Sequence, residues 1–280
     1  MSELLFFSFC VNIGRIQPYI LKKAFQGLIN SLHYFNNKFK FIIYTNLSLD
    51  EFKNDSSIII REYKNFSQDY KDNLWLNLSI NKLFYAKEII KEFTKEPIWI
   101  DLDTIVGRNI EHLSSIKNFF IMQETNDTDL FHIINGLNVY NKDYIQGNIW
   151  KCDLELIETA LDLLKNKNIK PDYDTQGLFN YMYHFYNYKT KMNILMRDMD
   201  TDTINGLNIG NKDKVTHSDF NSLKDLLYME NNIIKSKLYD NFKIQFLSFT
   251  FYSLQKSLAL NEISLFEDNN IKNFLMKIYN

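Results

Sequence analysis

An apolar run from Leu4 to Val11 stops at Asn12-Ile13-Gly14, the pattern of a buried strand that ends in a turn. Beyond Pro18, the residues Ile20, Leu21, Ala24, Phe25, Leu28 and Ile29 recur at helical spacing, which predicts a helix opened by the proline. Lys40 to Tyr44, ending at Thr45-Asn46, and Ile58 to Tyr63 read as the second and third strands. Ile80, Leu83, Phe84, Ile89 and Ile90 mark an amphipathic helix from about Asn77 to Phe93, and Pro97 then introduces the strand Ile98-Trp99-Ile100. Strands alternating with helices predict an α/β fold with a largely parallel sheet, in which ligands bind beyond the carboxyl ends of the strands.

The second half is less regular. Asn118 to Met122, Leu137 to Tyr140 and Asn148 to Trp150 read as strands, followed by a helix from about Asp153 to Leu164. After Pro171, Asp174-Thr175-Gln176-Gly177 can start a helix running to about Tyr186, with Asp174 as its N-cap. The rest mixes short strands with apolar helical stretches, among them Leu223 to Leu238 and Ile271 to Ile278. No repeat, low-complexity linker or Gly/Ser hinge divides the chain, so the expectation is one compact unit with a C-terminal extension.

Charge and composition narrow the function. The 280 residues carry 32 basic against 34 acidic side chains, which removes nucleic acid as the default partner. Cys10 and Cys152 are the only cysteines, so a disulfide framework is excluded and a reducing compartment fits. Met1 to Val11 carries Glu3, no Lys or Arg and no small-residue cleavage site, and reads as a first strand rather than a leader. No stretch approaches 18 uninterrupted apolar residues, so a spanning helix is not expected and any membrane contact would be peripheral.

The strongest chemical signal is Trp99-Ile100-Asp101-Leu102-Asp103-Thr104-Ile105-Val106, an apolar strand that delivers two carboxylates two residues apart. At a strand's period of two both can face one side. Close like charges are costly unless a cation sits between them, and hard ions such as magnesium or manganese take oxygen ligands of this kind. The bland alternative is a turn cap beside a solvated aspartate. No Gly-x-Gly-x-x-Gly or Gly-x-x-x-x-Gly-Lys loop exists, so the metal would have to hold a diphosphate.

These residues resemble the nucleotide-sugar-dependent glycosyltransferases of the GT-A fold, particularly bacterial capsule and lipooligosaccharide transferases, over most of residues 4–217. The resemblance implies a GT-A type, Rossmann-like, mostly parallel sheet flanked by helices, with a nucleotide-sugar-binding and catalytic core at 1–217 and a C-terminal helical extension at 218–280. It implies that Asp101 and Asp103, with Leu102 between them, bind Mn2+ or Mg2+ on the donor diphosphate. Lys82 in Ser79-Ile80-Asn81-Lys82-Leu83-Phe84-Tyr85 would contact donor phosphate or sugar, with Lys87 as second candidate and a solvated helix-face lysine as the alternative. Gln146-Gly147-Asn148-Ile149-Trp150 is similar to the small-residue strand beneath the donor sugar, where Gly147 lets the sugar approach the backbone.

Asp172 to Asn180 resembles the Asp-Gln signature at a helix start in family-eight-type retaining transferases, which points to Asp174 and Gln176 as sugar or acceptor ligands, or to Asp174 as a base, against capping by Asp174 alone. His217 stands where those enzymes place a third metal ligand, although the Lys-Pro-Trp that usually follows is missing. Nucleotide contacts are expected at the strand ends Phe9, Cys10, Val11 and Asn12, and Tyr44, Thr45 and Asn46, where an aromatic can stack on uracil and an amide can read its edge. The implied activity is transfer from a UDP-sugar to a glycan or lipid-linked glycan, in the cytoplasm or at the inner face of the membrane. The aromatic run Phe246 to Tyr252 reads as core or dimer surface, so a homodimer is allowed. Two competing readings remain. A haloacid-dehalogenase-type phosphatase needs Thr or Val where Ile105 stands, and a silent glycan-binding protein on the same fold would turn over no donor.

Overall fold

The computed structural model describes residues 3–66, 73–122, 131–134, 137–140, 144–166, 175–195, 203–204, 220–237, 242–249 and 251–280. The chain runs β1 (Leu4–Cys10), α1 (Pro18–Tyr34), β2 (Phe39–Thr45), β3 (Ile58–Glu62), α2 (Leu74–Phe93), β4 (Ile98–Ile100), β5 (Thr104–Val106), β6 (Phe119–Met122), β7 (Phe131–Ile134), β8 (Leu137–Tyr140), β9 (Ile145–Lys151), α3 (Leu154–Lys165) and α4 (Thr175–Phe185). It continues through β10 (Asn193–Leu195), β11 (Thr203–Ile204), α5 (Phe220–Leu223), β12 (Leu227–Glu230), β13 (Ile233–Ser236), β14 (Phe242–Lys243), β15 (Phe246–Ser248), α6 (Phe251–Ala259) and α7 (Asn269–Tyr279).

A seven-stranded sheet in the order β10-β6-β9-β4-β1-β2-β3 forms the centre. It is parallel throughout except for β9, which runs against both β4 and β6. The apolar run of β1 is continuous because both faces of this central strand are covered. Leu4, Phe6 and Cys10 enter one core with residues of α1, α6 and α7, whereas Leu5, Phe7 and Phe9 enter a second core with residues of α2, α3 and α4. Helices therefore flank the sheet on both faces, as an α/β chain requires. Helix α7 lies on α1, where Lys23 Nζ donates to the Tyr279 carbonyl at 2.6 Å and Asn30 Nδ2 to the Ile278 carbonyl at 2.9 Å. A side chain at Gly27 would collide with the Tyr279 ring, which explains a glycine inside α1. Among the described residues, no helix is long and apolar enough to cross a membrane.

One expected element is of the other kind. Leu223 to Leu238, anticipated as helical, holds the antiparallel hairpin β12–β13 after the short α5. Asn231 and Asn232 at its tip adopt φ 52° and 60°, the left-handed pair that a two-residue hairpin turn demands and that Asn tolerates better than most side chains. Of the seven non-glycine residues with positive φ among those described, six are asparagine. Asn does here the turn work that Gly does in most chains.

Candidate functional site

Strand β4 ends at Ile100, and there the chain leaves the large sheet. The Asp101 N–H donates to the Asn148 carbonyl on β9 at 2.7 Å, and the Thr104 N–H closes a turn onto the Asp101 carbonyl at 3.2 Å. Leu102 is buried by that turn, and β5 emerges from it into a separate three-stranded sheet ordered β11-β15-β5. Asp101 and Asp103 are thus held together by a tight turn between two sheets, not by the pleat of one extended strand.

Each carboxylate has its own surroundings. Asp101 Oδ1 accepts the Trp99 indole N–H at 2.8 Å and the Lys82 ammonium at 3.2 Å, and Lys82 Nζ also lies 4.3 Å from the Trp99 ring centroid. Lys82 thus has its ammonium paired with Asp101 and set over an aromatic face. The Asp103 backbone is tied to the chain after β15, where the Phe249 N–H donates to its carbonyl at 2.9 Å. Burial first, then the Asp101 charge, push the Asp103 carboxyl well above the ordinary carboxylate range, against the Lys82 charge and the N–H of Phe251 at the start of α6. A carboxylate with that unmet demand for positive charge is chemically suited to a divalent cation. Burial, with the Asp103 carboxylate adding to it, likewise raises the phenol of Tyr279.

The pair opens into a cavity of about 390 Å³ at the carboxyl ends of β1 and β4. Ser8, Phe9, Val11 and Ile13 line it from the β1 end, Leu78, Ser79 and Lys82 from α2, and Arg15 and Ile16 from the loop before α1. Tyr252 on α6 also lines it and is 75% exposed. A larger cavity of about 780 Å³ lies at the other ends of the same strands, beside Leu4, Ile98, Lys95 and Lys151. It does not touch the acidic pair, and in sheets of this type ligands bind at the carboxyl ends.

Of the anticipated nucleotide and metal contacts, Phe9, Val11, Lys82, Asp101, Leu102 and Asp103 come together around the cavity. Others do not line it. Cys10 is buried, with its thiol pushed up to about 12 by burial, and its carbonyl accepts the Thr45 hydroxyl at 2.6 Å. Tyr44 packs its ring 3.9 Å from that of Tyr85. Asn12 and Asn46 exchange two hydrogen bonds, Asn12 N–H to Asn46 Oδ1 at 2.8 Å and Asn46 Nδ2 to the Asn12 carbonyl at 3.0 Å. These four residues and Asn46 fasten the ends of β1 and β2. The space beside Gly147 is taken by Gln176, whose Oε1 accepts the Gly147 N–H at 2.8 Å and whose Cβ would lie 2.9 Å from a Cβ on Gly147. Gln176 joins α4 to β9 in this way. Asn148 Nδ2 donates to Ser248 Oγ at 3.2 Å, linking β9 to β15. Lys87 pairs with Glu158 of α3 at 2.9 Å. Asp174 and His217 lie outside the described residues. Among those described, no three His, Cys, Asp or Glu side chains gather as a metal cluster.

Sequence reading did not single out Ser8, Arg15 or Tyr252. Ser8 is hidden inside an apolar run, and Tyr252 reaches the cavity only through the pairing of β15 with β5. The Ser8 hydroxyl is fully buried and has no hydrogen-bond partner among the described residues, a condition that costs about 1–3 kcal/mol. Ser8→Ala is therefore expected to keep or slightly raise the thermal midpoint of the free protein, read by calorimetry. A drop of several degrees would show that the hydroxyl is satisfied in solution.

No protein-family model and no curated protein matches the chain. Among solved structures it is similar to WbbM, a bifunctional glycosyltransferase in its apo structure, with a TM-score of 0.52 and 10% identity over 99% of this chain and 51% of that one. The chain thus spans about half the length of that protein. At such identity the likeness establishes the fold, one that a glycosyltransferase uses.

Proposed function

We propose that the protein is a metal-dependent glycosyltransferase of GT-A type, moving a sugar from a nucleotide-diphosphate donor, a UDP-sugar, to a glycan hydroxyl in bacterial surface-polysaccharide synthesis. The observation that carries this reading is the acidic pair Asp101 and Asp103, held by a turn at the carboxyl end of β4 and facing a cavity that Lys82 and Phe9 also line. The fold shared with WbbM supports it. Two hard carboxylate oxygens, one of them buried with too little positive charge around it, fit Mn2+ or Mg2+. Asp101 and Asp103 would hold the ion, with His217 as a third ligand. The bound ion supplies Lewis-acid stabilisation of the leaving nucleotide.

The chain's own groups do the rest. Phe9 and Val11 form an apolar seat for the nucleoside. Lys82, kept in place by Asp101 and the Trp99 face, sets a positive charge where negative charge grows on the leaving diphosphate. In the transfer, the bond from the sugar's anomeric carbon to phosphate oxygen breaks and one to the acceptor oxygen forms. The acceptor proton passes to Asp174 in an inverting reaction, or to the leaving phosphate in a retaining one. An acceptor on a lipid would bring the protein to the cytoplasmic face of the membrane.

A panel of nucleotide-sugars with Mn2+ tests the reading. We expect at least one UDP-sugar to raise the thermal midpoint and to release UDP slowly in the absence of acceptor. If no nucleotide-sugar shifts the midpoint or is hydrolysed with either ion, the reading fails.

A further inference from the structure

The cavity straddles the end of the central sheet, and its two halves differ in chemistry. Phe9, Trp99 and Leu78 line it and belong to, or pack against, the core shared with α2, α3 and α4. Leu21, Ile16 and Phe251 also line it, and they belong to, or pack against, the core shared with α1, α6 and α7. Ser8 has the strand parity of Phe6 and Cys10, so it faces the α1 side with them. The acidic pair is divided in the same way. Asp101 meets Lys82 and Trp99 on the α2 side, whereas Asp103 meets the Phe251 N–H at the start of α6.

The α1 half is a poor seat for a bare saccharide. Sugar hydroxyls pressed against Ile16, Leu21 and Phe251 would lose their water and find no partner there, at a cost for each one left unpaired. The wall does hold one neutral polar group with an unmet need, the Ser8 hydroxyl, which has no hydrogen-bond partner among the described residues. Tyr252 stands at the open side of the cavity, 75% exposed. An aromatic ring with a polar tip, set where an apolar wall meets water, suits a molecule that is hydrocarbon at one end and sugar at the other.

We infer that the α1 half of the cavity is the acceptor subsite and that it takes a glycoside with an apolar aglycone, hydrocarbon against Ile16, Leu21 and Phe251 and sugar toward Asp103 and Tyr252. This rests on the glycosyltransferase reading above and names the acceptor class which that reading leaves open. Titration calorimetry of n-alkyl β-D-glucosides from methyl to octyl, kept below their micelle-forming concentrations, on the full chain holding UDP and Mn2+, tests it. Affinity should rise about two- to fourfold for each added methylene. Ile16→Ser should flatten that rise, and Tyr252→Ala should weaken every member about 2- to 10-fold while Tyr252→Phe keeps the wild-type values. Leu260→Ser, which removes an apolar side chain that is 63% exposed and does not line the cavity, should change nothing. Ile16, Tyr252 and Leu260 are all at least partly exposed, so the variants should melt near the wild-type midpoint. An affinity independent of chain length, or a rise that survives Ile16→Ser intact, would overturn the subsite while leaving the enzyme reading standing. So would UDP expelling octyl glucoside, since the apolar wall would then belong to the nucleotide. If wild type binds no UDP with Mn2+, the enzyme reading falls and this inference with it.

Discussion

Asp103→Asn is expected to lower the proposed metal-dependent sugar transfer about 10²- to 10³-fold and, in the metal-free protein at neutral pH, to raise the thermal midpoint. The two effects share one cause. Asparagine keeps the shape of the side chain and an oxygen for the Phe251 N–H, but it brings no charge into a place where burial and Asp101 both oppose one. The folded chain holds a proton at Asp103 well above the ordinary value of 3.8, while the unfolded chain releases it near that value. Stability contributed by this group is therefore complete below the ordinary carboxylate range and is lost as pH rises through the raised value. Asparagine does not titrate. The midpoints of wild type and variant should coincide in acid and separate as pH climbs, with the variant higher. If the proposed ion binds, manganese should reverse the balance in wild type alone, since a bound cation favours the ionised carboxylate and competes with its proton. Melting curves from pH 4 to 8, with and without Mn2+ and UDP, check this. A variant that melts below wild type at pH 8 without metal would show that Asp103 is ionised and compensated from within the chain.

That arrangement was only partly legible in the sequence, and the reasons are physical. Strands β1, β2 and β4 and helices α1 and α2 stand out because a sheet covered on both faces needs unbroken apolar runs, and the flanking helices need one apolar side each. The acidic pair stands out because its charges follow directly on Trp99-Ile100. What brings the two carboxylates together, however, is a turn anchored to Asn148 of β9 and to Phe249 after β15, and neither partner is near in sequence. Cys10, Thr45, Asn12 and Asn46 occupy strand ends, as anticipated, yet their hydrogen bonds go to one another. Position along a strand says which end a residue is on. It does not say whether the side chain is spent on the backbone next door. The hairpin β12–β13 was hidden because its turn uses Asn-Asn, and the apolar residues flanking a two-residue turn mimic a helical period when glycine and proline are missing. Arg15 left one faint signal, the Gly14 before it. Tyr252 closed an aromatic run that read as core or dimer surface, and nothing there pointed to the cavity, because its place depends on β15 pairing with β5 across more than a hundred residues.

Removing residues 269–280 is expected to leave a chain that does not fold cooperatively, the largest stability effect anticipated for this molecule. Helix α7 buries Ile271, Phe274, Leu275, Ile278 and Tyr279, and at about 1.5–3 kcal/mol for each side chain the loss is on the order of 7–15 kcal/mol. A whole domain of this kind is stable by about 5–15 kcal/mol. Even after allowing for a compact unfolded chain, which lowers such area-based figures by roughly 10–40%, the deletion consumes most of that margin. The deletion also strands Lys23 and Asn30, which otherwise satisfy the last carbonyls of α7, and opens the groove that Gly27 leaves for the Tyr279 ring. The consequence reaches the acidic pair, because α6, whose first N–H meets the Asp103 carboxylate, shares its core with α7 and α1. Far-UV circular dichroism during melting, with limited proteolysis, reads the outcome. A milder variant separates loss of packing from loss of chain: Phe274→Ala should still fold, at a cost of about 3–5 kcal/mol. A truncated chain that melted cooperatively within a few degrees of the full one would mean that α7 merely decorates a self-sufficient core. The expected collapse would mean instead that the last helix completes the hydrophobic layer on which the acidic turn rests.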